Sequence, residues 1–381
     1  MREKPLGPWK AIHISQHEVR CSMINNALND LHKLAPSSRY QGSKRRILPW
    51  LYKNLKNLEF ETVLDGFGGT ASVSYLFKSM QKKVTFNDIL SSNYHTGIAL
   101  IENDFVKLNQ FDLKFLLNKN GFRYPSFIQK TFKDIYYLHS ENKWLDIVVF
   151  NIEMLSENYE GEILRKKRAL AFHMLFQACL SKRPFNLFHR KNLYLRSANA
   201  KRSFGNKTTW DTDFDTLFLR FSNELSQKIF SNGFNNKAIC TDIMKLQDRD
   251  FDLVYFDPPY TRPKEKSPKD YYSFYHFLEG LVDYNNWQKR VNWKTMNRSL
   301  TKENNEWNKN PLEKNFDHLF KKFQNSMIAT SYGEPGNPPV QKIKELLLQY
   351  KSKVRVVKTK YNYRLNHKNG DKMYEVLIIG K

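Results

Sequence analysis

The chain has 381 residues, with 62 Lys and Arg against 38 Asp and Glu, a formal charge of +24 and a pI near 9.7. That balance excludes an acidic, self-solvating chain and makes a polyanion the first partner to test, while 40% hydrophobic and 14% aromatic residues supply a sizeable core. The three cysteines, Cys21, Cys179 and Cys240, form no CxxC pair, and no apolar run approaches the ~20 residues of a membrane span, so a soluble cytoplasmic protein without structural zinc or disulfides is expected.

In chain order, residues 1–39 read as an extension without clear periodicity. Apolar residues from Ile47 to Leu55 recur at helical spacing, with Pro49 tolerable in a first turn. Thr62–Leu64 is a short β-like run that closes on Asp65-Gly-Phe-Gly-Gly69; a helix over Thr70 to Met80 and a strand at Val84–Phe86 follow, the latter closing on Asn87-Asp88. Strand, glycine turn, helix, strand and acid outline the first half of a doubly wound α/β domain. Residues 101–235 break this rhythm and read as an inserted unit. The α/β pattern resumes at Ala238–Cys240, Leu253–Phe256 and Met327–Ser331, and Val354–Tyr363 with Glu375–Ile379 reads as a β-hairpin. The expected division is thus 40–100 with 236–381 as one domain and 101–235 as a second.

The charge is concentrated. Ile163–Trp210 contains no Asp or Glu but twelve Lys or Arg, equal to half of the net charge in 48 residues. Within it, Arg183–Arg196 interleaves cations with Phe185, Asn186, Phe188, His189, Asn192 and Tyr194. Cations contact phosphates, whereas Asn can bond base edges and aromatic groups can wedge into a base stack. The expectation is a phosphate-tracking surface; the competing reading is a solvated helix face.

The sharpest chemical signal is Asp257-Pro258-Pro259-Tyr260, directly after the apolar run Leu253–Phe256. Ligands in open α/β sheets bind at the carboxyl ends of the strands. Two prolines fix the backbone, so the Asp257 carboxylate, the Pro258 carbonyl and the Tyr260 ring form a rigid array. A carboxylate and a carbonyl together can accept both hydrogens of an exocyclic amino group, and the ring offers a face to a planar base. The glycines of Asp65–Thr70 let a ligand approach the backbone closely and leave helix N-terminal amides free. Asp88, 23 residues after Asp65, stands where an acid can bind ribose hydroxyls, or caps a helix. Asp242 is a similar loop acid after Ala238–Cys240, with an N-cap as its other reading.

These residues, from Tyr40 to the C-terminus, resemble the alpha-group, Dam-like DNA adenine-N6 methyltransferases. Tyr40-Gln-Gly-Ser-Lys44 looks like that group's N-terminal cofactor motif, in which the aromatic residue and the lysine approach the methionine end of S-adenosylmethionine. Asp65-Gly-Phe-Gly-Gly-Thr is similar to its acid-Pro-Phe-x-Gly loop, with Gly66 in place of the proline and Ala71 where a further glycine is common. The resemblance implies a Rossmann-like α/β fold, a mostly parallel sheet with a C-terminal antiparallel hairpin. It assigns Tyr40, Lys44, Asp65, Phe67, Gly69, Asp88 and Asp242 to the cofactor, Asp257–Tyr260 to catalysis, and 101–235 to target recognition. Arg183-Pro-Phe-Asn-Leu-Phe-His-Arg-Lys-Asn192 resembles the recognition hairpin, so Arg183, Asn186, Arg190, Lys191 and Asn192 are the DNA-binding candidates. Ser331-Tyr332 and the terminal hairpin resemble later motifs.

The activity implied is transfer of a methyl group from S-adenosylmethionine to N6 of an adenine flipped from duplex DNA, leaving S-adenosylhomocysteine and needing no metal. A paired restriction endonuclease and a monomeric state are further expectations. Cytosine-N4 methylation, which more often uses Ser at the first position of the tetrapeptide, and a catalytically silent DNA-binding module are the alternatives.

Overall fold

Short apolar runs ending in turn residues become the strands of one sheet. The computed structural model describes residues 35–197, 207–262, 268–301, 306–360 and 373–381. Helix α1 (Leu48–Leu55), with Pro49 in its first turn, leads into β1 (Thr62–Asp65), α2 (Ser72–Ser79), β2 (Lys83–Asp88) and α3 (Ser91–Gly97). A helical stretch follows, with α4 (Gln110–Leu117), α5 (His139–Glu153), α6 (Gly161–Ser181) and α7 (Phe214–Ser226). The chain then returns to β3 (Lys237–Cys240) and β4 (Leu253–Phe256), and α8 (Tyr271–Val282) and α9 (Leu312–Lys322) precede β5 (Met327–Glu334). Helix α10 (Val340–Leu348), β6 (Val354–Lys360) and β7 (Tyr374–Gly380) complete it.

The seven strands lie in the order β3-β2-β1-β4-β5-β7-β6. All neighbours are parallel except β7, which runs antiparallel to both β5 and β6. This is the Rossmann-like methyltransferase arrangement, a mostly parallel sheet closed by an antiparallel pair. Val63, Leu253, Tyr255, Leu377 and Ile379 enter one core, while Leu64, Val254, Phe256, Val376 and Ile378 enter the other. Both faces are covered, which is why the central strands read as unbroken apolar runs rather than alternating ones. The end of the expected hairpin, residues 361–372, lies outside the described residues, as do 1–34 of the extension.

The inserted stretch does not form a core of its own. Leu145, Phe172, Phe176, Leu217 and Phe218 belong to the same buried cluster as Val84, Phe86 and Leu76. Helix α6 packs between α3 and α7, and every residue from Ala169 to Ser181 is buried.

That burial corrects the expectation of a phosphate-tracking surface along the first half of the basic window. Arg165 pairs with Glu102 and with Glu162. Lys167 is buried against Asp112, Arg168 lies 3.3 Å from Glu153, and Lys182 lies 2.8 Å from Glu141, which also holds Arg196. The window lacks acids in sequence, but acids 3 to 63 residues away pair with five of its described cations in space. Charge spacing along a chain says nothing about such pairs, so the absence of local acids was misleading here.

Candidate active site

A cleft opens at the carboxyl ends of β1, β2 and β4, where parallel strands deliver their loops to one edge. Its empty space, counted out to the open mouth, is about 1260 Å³, and Tyr40, Lys44, Asp65–Gly69, Asp88, Asp242 and Asp257 line it. Every cofactor-binding candidate read from the sequence is brought to this one cleft.

The glycine loop is shaped by contact. A Cβ at Gly68 would lie 2.1 Å from the Phe86 ring, and Gly69 has a left-handed φ of +51°. The Gly66 amide continues the β1–β4 ladder by donating to the Tyr255 carbonyl at 2.9 Å, a bond that a proline at this position would forfeit. Ala71, in the position where the resembling family commonly has glycine, itself takes φ +59°.

Asp88 closes the loop: its carboxylate accepts from the Gly69 amide and from the Leu90 amide, both at 2.8 Å. Asp242 accepts from the Met244 amide at 3.0 Å, so the N-cap reading describes its bond while its side chain also borders the cleft. Half-buried Tyr40 stacks parallel with Tyr275, ring centroids 4.1 Å apart, and its hydroxyl accepts from Asn93. Phe67 meets Trp307 edge-on at 5.1 Å.

At the floor, Lys44 Nζ bridges two carboxylates, Asp257 Oδ1 and Glu375 Oε1, each at 2.9 Å. Burial raises the Asp257 carboxyl while Lys44 holds it down; burial likewise pushes Glu375 up to about 7 against the pull of Lys44. Asp65 is pushed up to about 7 by burial, despite the hydrogen bond it accepts from Ser74 at 2.6 Å. Sequence reading missed Glu375, which reads as one more strand residue until β7 places it beside Lys44. It also missed Trp307, whose Nε1 donates to the Pro259 carbonyl at 2.9 Å. Tyr260 tilts over Tyr332 at 4.6 Å and packs so closely on Gly333 that a Cβ there would sit 1.8 Å from its hydroxyl.

The five DNA-binding candidates divide. Arg183 is 1% exposed and Asn192 6%. The Arg183 guanidinium donates to the carbonyls of Leu187 and Arg190 and to Asn192 Oδ1, and lies 4.3 Å from the Tyr136 ring centroid. Burial lowers it to about 10. Its donors are already engaged inside the protein, which corrects the expectation that Arg183 and Asn192 reach DNA: they clamp the loop from within. That loop presents Phe185, Arg190 and Lys191 to solvent, with Asn186 half-buried. Phe185 and Asn186 both have left-handed backbones, φ +63° and +56°. Asn tolerates this conformation, whereas Phe does so at a cost of about 1–2 kcal/mol.

The family of D12 class N6 adenine-specific DNA methyltransferases matches residues 40–332, most of the chain. The chain belongs to that family. It is also 28% identical over 356 residues to the Type II methyltransferase M2.HphI of Haemophilus parahaemolyticus, covering 90% of this chain and 97% of that one. Two structures of the rRNA methyltransferase aviRa from Streptomyces viridochromogenes share 10% identity over 92% of this chain and 90–92% of theirs. Their TM-scores of 0.29 and 0.31 are too low to bear on this fold or its substrate.

Membership makes the protein an enzyme that methylates adenine N6 in DNA, and sets aside cytosine N4 and a silent module. Methyltransferases of this kind draw on S-adenosylmethionine, and the cleft fits such a group. Asp65 Oδ1, Asn87 Oδ1 and Gln41 Oε1 are buried acceptors on its lining without a hydrogen-bond partner. Five aspartates, at 65, 88, 242, 257 and 270, face a space bordered by two lysines, Lys44 and Lys269, which suits a ligand carrying ammonium and sulfonium charge. Among the described residues no helix is long and apolar enough to cross a membrane, and no group of three His, Cys, Asp or Glu has metal-binding geometry.

Proposed function

We propose that the cleft holds S-adenosylmethionine against Tyr40, Lys44, Asp65, Phe67, Gly69, Asp88 and Asp242, and that Asp257, Pro258, Pro259 and Tyr260 receive an adenine flipped from duplex DNA. The observation that carries this reading is the Asp257 carboxylate, half-buried at the carboxyl end of β4 and tethered by Lys44 beside the glycine loop.

Adenine's amino nitrogen is a weak nucleophile because its lone pair is delocalised into the ring. Asp257 and the Pro258 carbonyl accept its two hydrogens, draw it toward tetrahedral geometry and localise the lone pair. The bound cofactor supplies the electrophilic methyl group. Lys44 occupies one Asp257 oxygen, which leaves the other for the amino group, and Glu375 holds Lys44 from behind. Tyr260 stacks on the base, and Trp307 fixes the Pro259 carbonyl so that the tetrapeptide cannot rotate. An amino group inside a duplex cannot reach the cleft, so the base is extruded.

Target recognition belongs to 101–235, chiefly the clamped loop Arg183–Asn192, with Arg190 and Lys191 on phosphates, Asn186 at base edges and Phe185 as a wedge. The protein works as a monomer. The Type II designation of its relative supports a partnership with a restriction endonuclease.

The Asp257→Ala variant tests the assignment. Methyl transfer from tritiated cofactor should fall at least roughly 10³-fold, while calorimetric cofactor affinity and duplex binding change by no more than about threefold. Turnover retained near the parent rate would refute it.

A further inference from the structure

A second exposed loop, outside the inserted stretch, is joined at its base to a residue that lines the cleft. Residues Val291 and Leu300 form an antiparallel bridge, and the Thr301 amide donates to the Arg290 carbonyl at 2.8 Å. Inside it, the Asn292 amide donates to the Ser299 carbonyl at 2.7 Å and the Ser299 amide to Thr295 Oγ1 at 3.0 Å. This internally pinned loop nevertheless exposes Met296 by 82% and Trp293 by 52%. Arg298, with φ +51°, stands over the Trp293 ring at 5.3 Å.

We propose that the loop Val291–Leu300 is a second DNA-contacting element, which grips the duplex flank beside the recognition loop through Trp293, Met296 and Lys294. This rests on the reading of the protein as a duplex-DNA methyltransferase. Two observations commit the loop to DNA. The first is continuity: Asn297 Nδ2 donates to the Phe188 carbonyl at 3.1 Å, and the Tyr136 hydroxyl sits between the carbonyls of Phe188 and Asn297. The loop is therefore bonded to the recognition loop itself. At its base Arg290 donates to the hydroxyl of Tyr272, a residue that lines the cleft.

The second is charge. From Tyr284 to Lys302 the sequence has no Asp or Glu, but has Lys289, Arg290, Lys294, Arg298 and Lys302. Of these Arg290 is paired with Asp283, whereas Lys289 and Lys294 are exposed. An indole and a thioether flanked by exposed amines match the sugar and base faces of a nucleic acid flanked by its phosphates.

The test uses the full-length protein with bound cofactor, on a duplex carrying its methylation site as mapped by sequencing for modified adenine. The Trp293→Ala/Met296→Ala variant should weaken duplex affinity roughly tenfold, and Lys294→Ala should reduce the slope of log K against log salt by about 0.9. Cofactor affinity and melting temperature should match the parent, because these side chains are exposed. Duplex affinity within about twofold of the parent in the double variant, with an unchanged slope for Lys294→Ala, overturns the proposal. So does loss of self-association or of a protein contact in place of DNA affinity. A parent chain that neither binds nor methylates duplex DNA overturns the functional reading as well, whereas normal parent activity with silent variants overturns this loop alone.

Discussion

The sheet edge and the inserted helices handle charge in opposite ways. At the edge, Asp257 and Glu375 hold Lys44 while Asp65 and Asp88 line the same cleft, and burial raises all four carboxyls. In the insertion, cations crowd together, and acids drawn from other segments pair with Arg165, Lys167 and Arg168 of α6, leaving Arg190 and Lys191 on the loop after it to face solvent. A concentration of like charge thus marks a ligand site only where tertiary pairing leaves it uncompensated. Asp65, whose Oδ1 is buried without a hydrogen-bond partner, meets that condition at the edge, and among the described residues of the basic window the exposed Arg190, Lys191 and Lys207 do.

The contrast breaks most visibly if a buried cation of the insertion proves dispensable. Lys167 bonds Asp112, which also accepts from the Tyr159 hydroxyl at 2.7 Å and caps α4. Lys167→Ala leaves that carboxylate buried without its cation and should cost about 3–5 kcal/mol of stability in chemical denaturation. DNA affinity measured well below the melting temperature should keep the parent's salt slope. A lowered slope with unchanged stability would restore α6 as a phosphate-contacting helix.

The edge is probed by pH. Asp65 is raised to about 7, so in the free protein it holds a proton below that pH and loses it above. A cationic ligand favours the ionised form, so binding must expel the proton at low pH. Cofactor affinity should therefore be level above pH 7 and fall by up to about tenfold per unit below it. Calorimetry between pH 5.5 and 8 checks the slope, which Asp65→Asn should remove. An affinity independent of pH would show that Asp65 is not the group facing the cofactor's charge.

The smallest effect sharpens the comparison inside the basic window. Lys191→Ala should leave stability within about 0.5 kcal/mol of the parent, because the side chain is exposed, and lower the salt slope of duplex binding by about 0.9. The opposite behaviour of Lys167 and Lys191, one in stability and the other in salt dependence, is the signature expected of a window divided by burial.

Much of the site was legible because its chemistry is local. The tetrapeptide after β4, the glycine loop after β1 and the acid after β2 each lie within a few residues of a strand whose apolar run announces it, and a parallel sheet sends all such loops to one edge. Glu375 was not legible, since β7 enters the sheet antiparallel between β5 and β6 and its approach to Lys44 spans 331 residues. Arg183 was misread for a related reason. Its neighbours in sequence suggest a nucleic-acid contact, but its guanidinium turns inward to Tyr136 and the Leu187 carbonyl. Trp287 and Trp293, six residues apart, show the same limit: one fills the core against Phe132 and Phe277, the other stands on an exposed loop.

By itself the amino-acid sequence determined the strand positions, the loops that line the cleft and the place of Asp257–Tyr260 after β4, because short-range periodicity, proline and glycine fix backbone conformation within a few residues. Only the tertiary structure decided which charges remain available. Ion pairing and burial depend on distances between segments far apart in the chain, and among the described residues these turned an apparently continuous basic stretch into a helix whose Arg165, Lys167 and Arg168 are paired with acids, followed by an exposed loop clamped from within by Arg183.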